Sequence, residues 1–276
     1  MNSTSIFATD FDGTLLRTDG RFDENDISAL IALGNKGCSI ILASGRSPFS
    51  LQRCLGERSL PAQWFVLCSG AGILNSDGTV AISHSLSSGD TAVICEAFAS
   101  LGVEGISIQG TFPDSHLIHW MEGEHCADFH RRLDYYKDFS RRVASPDMPS
   151  SEVIGFVQPH IADKVIAGLI EITGDQYSII RATSPIDYRT VWIEVFPRGV
   201  NKGSACEYLR NRLDVLPERT AAVGNDWNDI HMLRWASRAF AAANSPEELL
   251  CEFENVPSNN NGAVAAAAEI WLDCIS

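Results

Sequence analysis

The residues Ser5-Ile6-Phe7-Ala8-Thr9 run straight into Asp10-Phe11-Asp12-Gly13-Thr14-Leu15, and this junction constrains the fold more than any other segment. The first five residues are apolar or small, contain no breaker and stop abruptly at an acid, which predicts a short buried strand. In an extended chain alternate side chains share a face, so Asp10 and Asp12 point the same way while Phe11 points into the core. Two carboxylates at one strand end repel each other and cost desolvation, so their placement asks for a cation or a catalytic role. Gly13 lets the backbone turn sharply behind them. The same tripeptide recurs at Asp77-Gly78-Thr79, but there it follows Asn75-Ser76 and lacks the upstream acid. That second copy reads as a hairpin turn.

Further short apolar runs follow at residues 39–43 and 64–68, alternating with helical patterns over residues 26–36 and from about Pro48. Continuous apolar runs joined by helices are the mark of a parallel sheet covered on both faces. The alternation resumes near the C-terminus, with strands expected at residues 191–196, 220–223 and 238–242 and helices at 202–213, 229–236, 246–253 and 264–272. Between the two α/β blocks, residues 84–188 have a different character. Strands expected at 105–109, 116–120, 152–158 and 177–182 accompany helices at 89–101 and 162–174 without regular βα alternation. This predicts an α+β domain inserted into an α/β domain made of residues 1–83 and 189–276.

The chain has 276 residues, enough for two domains. Its 21 basic and 35 acidic residues give a net charge of −14, which argues against nucleic acid or an anionic membrane as the main partner, since both demand a basic footprint. An anionic substrate would need local cations against this field. The eight cysteines form no Cys-x-x-Cys pair and read as buried, reduced thiols, not as a zinc site or disulfide framework. The opening Met1-Asn2-Ser3-Thr4 lacks a basic region and a long apolar stretch, so the expected location is the cytoplasm.

Polar clusters fall at the element ends of the α/β portion: Asp10 and Asp12, Ser44-Gly45-Arg46, Asn201-Lys202, and Gly224-Asn225-Asp226-Trp227-Asn228-Asp229. Each has a bland reading when taken alone. Ser44 can be a helix cap, Lys202 a solvated lysine behind the cap Asn201, and residues 224–229 a turn with capping residues. In an open α/β sheet, however, ligands bind beyond the carboxyl ends of the strands, where such clusters converge.

In this order the residues resemble the haloacid-dehalogenase-like superfamily of aspartate-dependent phosphohydrolases, specifically the Cof-type branch with a large type II cap. The resemblance rests on Asp10-Phe11-Asp12-Gly13-Thr14, Ser44-Gly45-Arg46, Lys202-Gly203 and residues 224–229, with a cap-sized insert between the second and third motifs. It implies a Rossmann-like doubly wound parallel sheet and an enzyme that hydrolyses a small phosphorylated metabolite, such as a sugar phosphate, with Mg2+. It further implies that Asp10 attacks phosphorus to give an aspartyl-phosphate. Asp12 would serve as general acid and base, while Ser44, Gly45, Arg46 and Lys202 would hold the phosphoryl group. The metal would be held by Asp10, by the Asp12 carbonyl and by the fourth motif, with Asn225, Asp226 and Asp229 as candidates. A phosphomutase or phosphotransferase using the same nucleophile is the rival within enzymes. A phospho-ligand-binding regulatory protein is the rival outside them.

Two positions depart from the family pattern. The fourth motif usually begins Gly-Asp, but here Asn225 stands in that place and contributes no charge to a metal. Ser69-Gly70-Ala71 stands where Asn-Gly-Ala is common. Within the insert, Arg131, Arg132, Lys137, Arg141 and Arg142 read as a solvated helix face balanced by Asp134 and Asp138, and as a phosphate-attracting patch only in second place. Trp120 reads as core.

Overall fold

The computed structural model describes residues 4–121 and 126–275; the Met1-Asn2-Ser3 start weighed above lies outside them. The first strands are β1 (Ser5–Asp10), β2 (Cys38–Ala43), β3 (Trp64–Leu67), β4 (Gly72–Asn75) and β5 (Val80–Ser83). Then come β6 (Gly105–Gln109), β7 (Ile118–Met121), β8 (Ser140–Arg142), β9 (Glu152–Val157), β10 (Tyr177–Thr183) and β11 (Val191–Pro197). The last are β12 (Thr220–Gly224), β13 (Arg238–Ala242) and β14 (Glu254–Val256). The helices are α1 (Glu24–Asn35), α2 (Pro48–Leu55), α3 (Ser88–Ser100), α4 (Ala127–Tyr135) and α5 (Ala162–Thr173), followed by α6 (Lys202–Arg212), α7 (Ile230–Trp235), α8 (Glu247–Glu252) and α9 (Ala263–Ile275). The chain divides into two compact units. One gathers the segment ending at Gly45, Leu55–Ala81 and the segment starting at Asn201; the other gathers Arg46–Cys54 and Ile82–Val200.

The first unit is built on an eight-stranded sheet of order β14-β13-β12-β1-β2-β3-β4-β5. From β14 to β3 every neighbouring pair is parallel, and β4 returns antiparallel to β3. Every residue of β1, β2 and β12 is buried, as the continuous apolar runs require of strands covered on both faces. Strand order grows away from β1 in both directions, so the crevice beyond the carboxyl ends of β1 and β12 is a topological switch point. Phe11 is fully buried, directly behind the acid that ends β1. The second Asp-Gly-Thr forms the turn between β4 and β5, where Asp77 Oδ1 accepts from the Thr79 N–H at 2.8 Å. At the periphery Asp26 of α1 accepts from the Ala265 N–H at 2.7 Å and so caps the first turn of α9.

The second unit carries a six-stranded sheet of order β10-β11-β9-β6-β7-β8, antiparallel except for β7 with β8. Ile94 and Phe98 of α3 and Val165 and Leu169 of α5 share one core with Ile106, Val153 and Ile193. Phe129 of α4 packs with Ile154, Phe156 and Trp192 in another.

Several expectations need correction. The pattern over residues 191–196 predicts a strand of the parallel sheet, with the inserted segment closing at residue 188. The strand they form, β11, instead pairs antiparallel with both β9 and β10. Its misleading pattern has a physical cause: β11 is central and covered on both faces, so it reads as a continuous apolar run like a parallel strand. Among the inserted basic residues Arg131, Lys137, Arg141 and Arg142 are exposed, but Arg132 is not a solvated side chain. It donates to Gln109 Oε1 at 3.1 Å and lies 4.6 Å from the Trp192 ring centre. The cysteines are all free, yet Cys251 of α8 and Cys274 of α9 are exposed. Trp120 packs edge-on against Phe129 at 5.9 Å. Among the described residues no helix is long and apolar enough to cross a membrane.

Candidate active site

The strand-end acid is held from two sides. Lys202, at the first position of α6, is completely buried and donates from Nζ to Asp10 Oδ1 at 2.7 Å and to Asp229 Oδ1 at 2.7 Å. It also reaches Asn228 Oδ1 at 3.4 Å. The solvated-lysine reading of Lys202 therefore fails, while Asn201 does cap α6 by accepting from the Ser204 N–H at 2.9 Å. An ammonium with no exposed surface is tolerable only because two carboxylates meet it. Burial disfavours its charged form, but Asp10 and Asp229 hold Lys202 above the usual lysine range. Burial and the Asp229 charge push the Asp10 carboxyl up to about 8, against the opposing pull of Lys202. In the absence of further positive charge Asp10 is thus a reluctant carboxylate, which added charge beside its second oxygen would ionise.

Asp229 uses both of its oxygens inside the protein. Oδ1 takes Lys202, while Oδ2 accepts the N–H groups of Asn225 at 2.9 Å and Asp226 at 3.1 Å. The Asp226 side chain caps the following turn by accepting the Asp229 N–H. Of the fourth-motif candidates, Asn225 is the one whose side chain meets both Asp10 and Asp12. One end of its amide lies 3.1 Å from Asp10 Oδ2, 2.9 Å from the Asp12 carbonyl oxygen and 2.9 Å from Thr14 Oγ1. The first-motif loop is shaped to allow this approach. Gly13 adopts φ +80°, and a Cβ there would fall 2.7 Å from the Asn225 amide. Asn244 Nδ2 pins the same turn by donating to the Gly13 carbonyl at 2.9 Å.

Among the described residues no group of three His, Cys, Asp or Glu side chains gathers as a metal centre. The oxygen set is instead mixed: the Asp10 carboxylate, the Asp12 carbonyl and, when its oxygen is turned inward, the Asn225 amide. Oxygen ligands at 2.0–2.1 Å from an octahedral Mg2+ sit about 2.9 Å apart along an edge. The 2.9 and 3.1 Å separations match that spacing, so the donors present fit a small, hard cation.

Ser44, buried at the end of β2, donates to Asp12 Oδ2 at 3.5 Å. Its capping alternative is answered by Ser47, whose Oγ accepts the Ser50 N–H at 3.2 Å and takes the helix-start role. Arg46 opens the short segment that belongs to the second unit, and its Nη1 donates to the Ser50 carbonyl at 3.4 Å. The turn after β3 carries no role on sequence pattern alone. There Cys68 and Ser69 both take positive φ, 48° and 49°, although neither is glycine. Such conformations cost about 1–2 kcal/mol per residue and persist only where the surroundings impose them. The Ser69 N–H donates to the Ser44 carbonyl at 3.0 Å, and a Cβ on Gly70 would lie 2.4 Å from the Asn201 carbonyl oxygen. This strained turn therefore braces the backbone beside both Ser44 and Lys202. The departure from Asn-Gly-Ala was its one visible signal.

Comparison with known proteins finds similarity along nearly the whole chain. The sequence profile of the haloacid dehalogenase-like hydrolase family matches residues 7–267. The HMP-PP phosphatase of Cronobacter sakazakii is 26% identical over 274 residues, covering 96% of this chain and 95% of that protein. The crystal structure of SMU.1108c from Streptococcus mutans superposes with a TM-score of 0.81 at 20% identity, covering 98% of this chain and 100% of the other. The HAD subclass IIB sugar phosphatase BT4131 superposes with a TM-score of 0.75 at 17% identity, covering 99% and 100%.

Proposed function

Given that the chain belongs to the haloacid dehalogenase-like hydrolases and is a phosphatase of that superfamily, we propose that it hydrolyses a small phosphorylated metabolite by way of an aspartyl-phosphate on Asp10. The observation that carries the reading is the fixation of Asp10 by a buried lysine at 2.7 Å on one oxygen and by Asn225 at 3.1 Å on the other. A carboxylate locked in this way loses little entropy when it attacks. Mg2+ would be held by the Asp10 carboxylate, the Asp12 carbonyl and the Asn225 amide oxygen, and supplies positive charge that offsets the phosphate and favours ionised Asp10.

Asp10 attacks phosphorus, an Asp10 O–P bond forms, and the bond from phosphorus to the leaving oxygen breaks. Asp12, less buried than Asp10, gives its proton to that oxygen so that the product departs as a neutral alcohol. The same carboxylate then takes a proton from water, which attacks phosphorus, releases inorganic phosphate and regenerates Asp10. Ser44 and Lys202 hold the phosphoryl oxygens as charge builds on them. Lys202 is suited to this because its Asp229 contact keeps it in place when Asp10 is consumed.

This substrate class is supported by the HMP-PP phosphatases among the relatives and by a sugar phosphatase of the same fold. A panel of sugar phosphates and phosphorylated heterocycles, assayed with Mg2+ for released inorganic phosphate, tests the reading. Stoichiometric free phosphate is expected. Transfer of the phosphoryl group to a second hydroxyl, with no free phosphate, would identify a phosphotransferase instead.

A further inference from the structure

The Asn225 amide has two orientations, and they differ in what they do to the site. With the oxygen turned inward it accepts from Thr14 Oγ1 at 2.9 Å but faces the ionised, attack-ready form of Asp10 at Oδ2 and the Asp12 carbonyl with no hydrogen between them. Three oxygens crowded at these distances repel one another. With the nitrogen turned inward, the same position donates to Asp10 Oδ2 at 3.1 Å, to the Asp12 carbonyl at 2.9 Å and to Thr14 Oγ1 at 2.9 Å, its two hydrogens shared among three acceptors. The nitrogen-inward orientation replaces the oxygen–oxygen repulsion by hydrogen bonds to the same three atoms.

We propose that Asn225 is a built-in stand-in for the cation: its NH2 group bridges the two oxygens that the metal would claim, and the amide turns over when the metal arrives. This rests on the metal assignment made under Proposed function. An aspartate at this position could not play both parts. Its inward oxygen would meet ionised Asp10 Oδ2 and the Asp12 carbonyl without a proton, beside two further acids, Asp226 and Asp229, and a single lysine. The amide gives up charge toward the metal and in return keeps the site assembled before metal binds, with Asp10 already aimed. The chain is thereby less dependent on metal for its folded geometry than a variant carrying the aspartate.

Two measurements test this. In 15N NMR spectra of the chelator-treated full chain, the Asn225 side-chain NH2 pair, assigned by its loss in Asn225→Asp, is expected to be shifted and slow to exchange. It should move to a free-amide position when Mg2+ is added. The second measurement is thermal unfolding of wild type and Asn225→Asp with and without Mg2+, paired with calorimetric Mg2+ titration. Without metal the variant should unfold at a lower temperature than wild type. Mg2+ should raise its midpoint more, with binding tighter by at least about tenfold. An Asn225 NH2 pair that exchanges freely in metal-free protein, or an equal Mg2+ response of both proteins, overturns the proposal. Phosphatase activity that requires Mg2+ while the Asn225 resonances stay put overturns the amide turnover alone. Full activity without Mg2+ overturns the metal assignment beneath it.

Discussion

Replacing Lys202 by methionine tests the electrostatic heart of the site. The ammonium is fully buried between Asp10 and Asp229, 2.7 Å from each. At an effective dielectric of 20, each contact amounts to about 6 kcal/mol of Coulomb attraction. Burying the three ions takes much of that back, so the net loss on truncation is about 3–5 kcal/mol, the range for breaking a buried pair and stranding its partners. Methionine keeps most of the side-chain volume, so no large cavity adds to the figure. The expected fall in unfolding midpoint is on the order of 10 °C. Lys202 now lowers the Asp10 pKa, so its removal moves that group further above about 8 and makes the ionised nucleophile harder still to reach at neutral pH. Turnover of an aryl phosphate at pH 7 should drop by at least about a thousandfold, with a steeper rise toward alkaline pH than in wild type. Unfolding curves and initial rates across pH 6–9 supply both readings. A folded Lys202→Met protein with an unchanged midpoint and a rate within a few fold of wild type would refute the reasoning.

Other outcomes follow from the same geometry. Asp12→Asn should cost far more with alkyl phosphates than with aryl phosphates, whose leaving groups need no proton; equal losses on both would remove the acid role from Asp12. Asp26 offers a test of stability: burial, with a smaller contribution from Asp23, raises its pKa from 3.8 to about 6 in the folded protein. The folded state therefore holds this proton more tightly than the unfolded one. The ionisation penalty is absent below about pH 4, grows as pH rises through the window to 6, and is complete above it, at no more than about 3 kcal/mol. Asp26→Asn should stabilise the protein at pH 8 and leave it unchanged at pH 4, as read from denaturant midpoints; an equal effect at both pH values would contradict the assignment.

The sequence made the parallel sheet and the positions of the site residues legible for one reason. Strand-end acids and a hydroxyl that interrupt apolar runs carry a desolvation cost that pattern reading can see at Asp10 and Ser44. What it could not show depends on contacts between distant segments. Lys202 and Asp10 lie 192 residues apart, and nothing in Asn201-Lys202-Gly203 distinguishes a buried lysine from a solvated one. Asp229 was read as a metal candidate because its charge is visible, whereas its engagement by Lys202 and two backbone amides is not. Strand β11 was placed in the wrong sheet because burial on both faces erases the alternation that separates antiparallel from parallel strands. The strain at Cys68 and Ser69 shows in the sequence only as the departure from Asn-Gly-Ala, since both residues are ordinary in composition and exceptional in φ.

The central claim is that Asp10 carries the phosphoryl group during turnover. Acid quenching of the enzyme in the first turnovers with a labelled phosphomonoester, followed by peptide mapping, reads this directly. The account predicts label on the peptide bearing Asp10, chased away as inorganic phosphate appears, and its absence in a folded Asp10→Asn protein that no longer turns over. Label on a different residue, or wild-type turnover by Asp10→Asn, would contradict it.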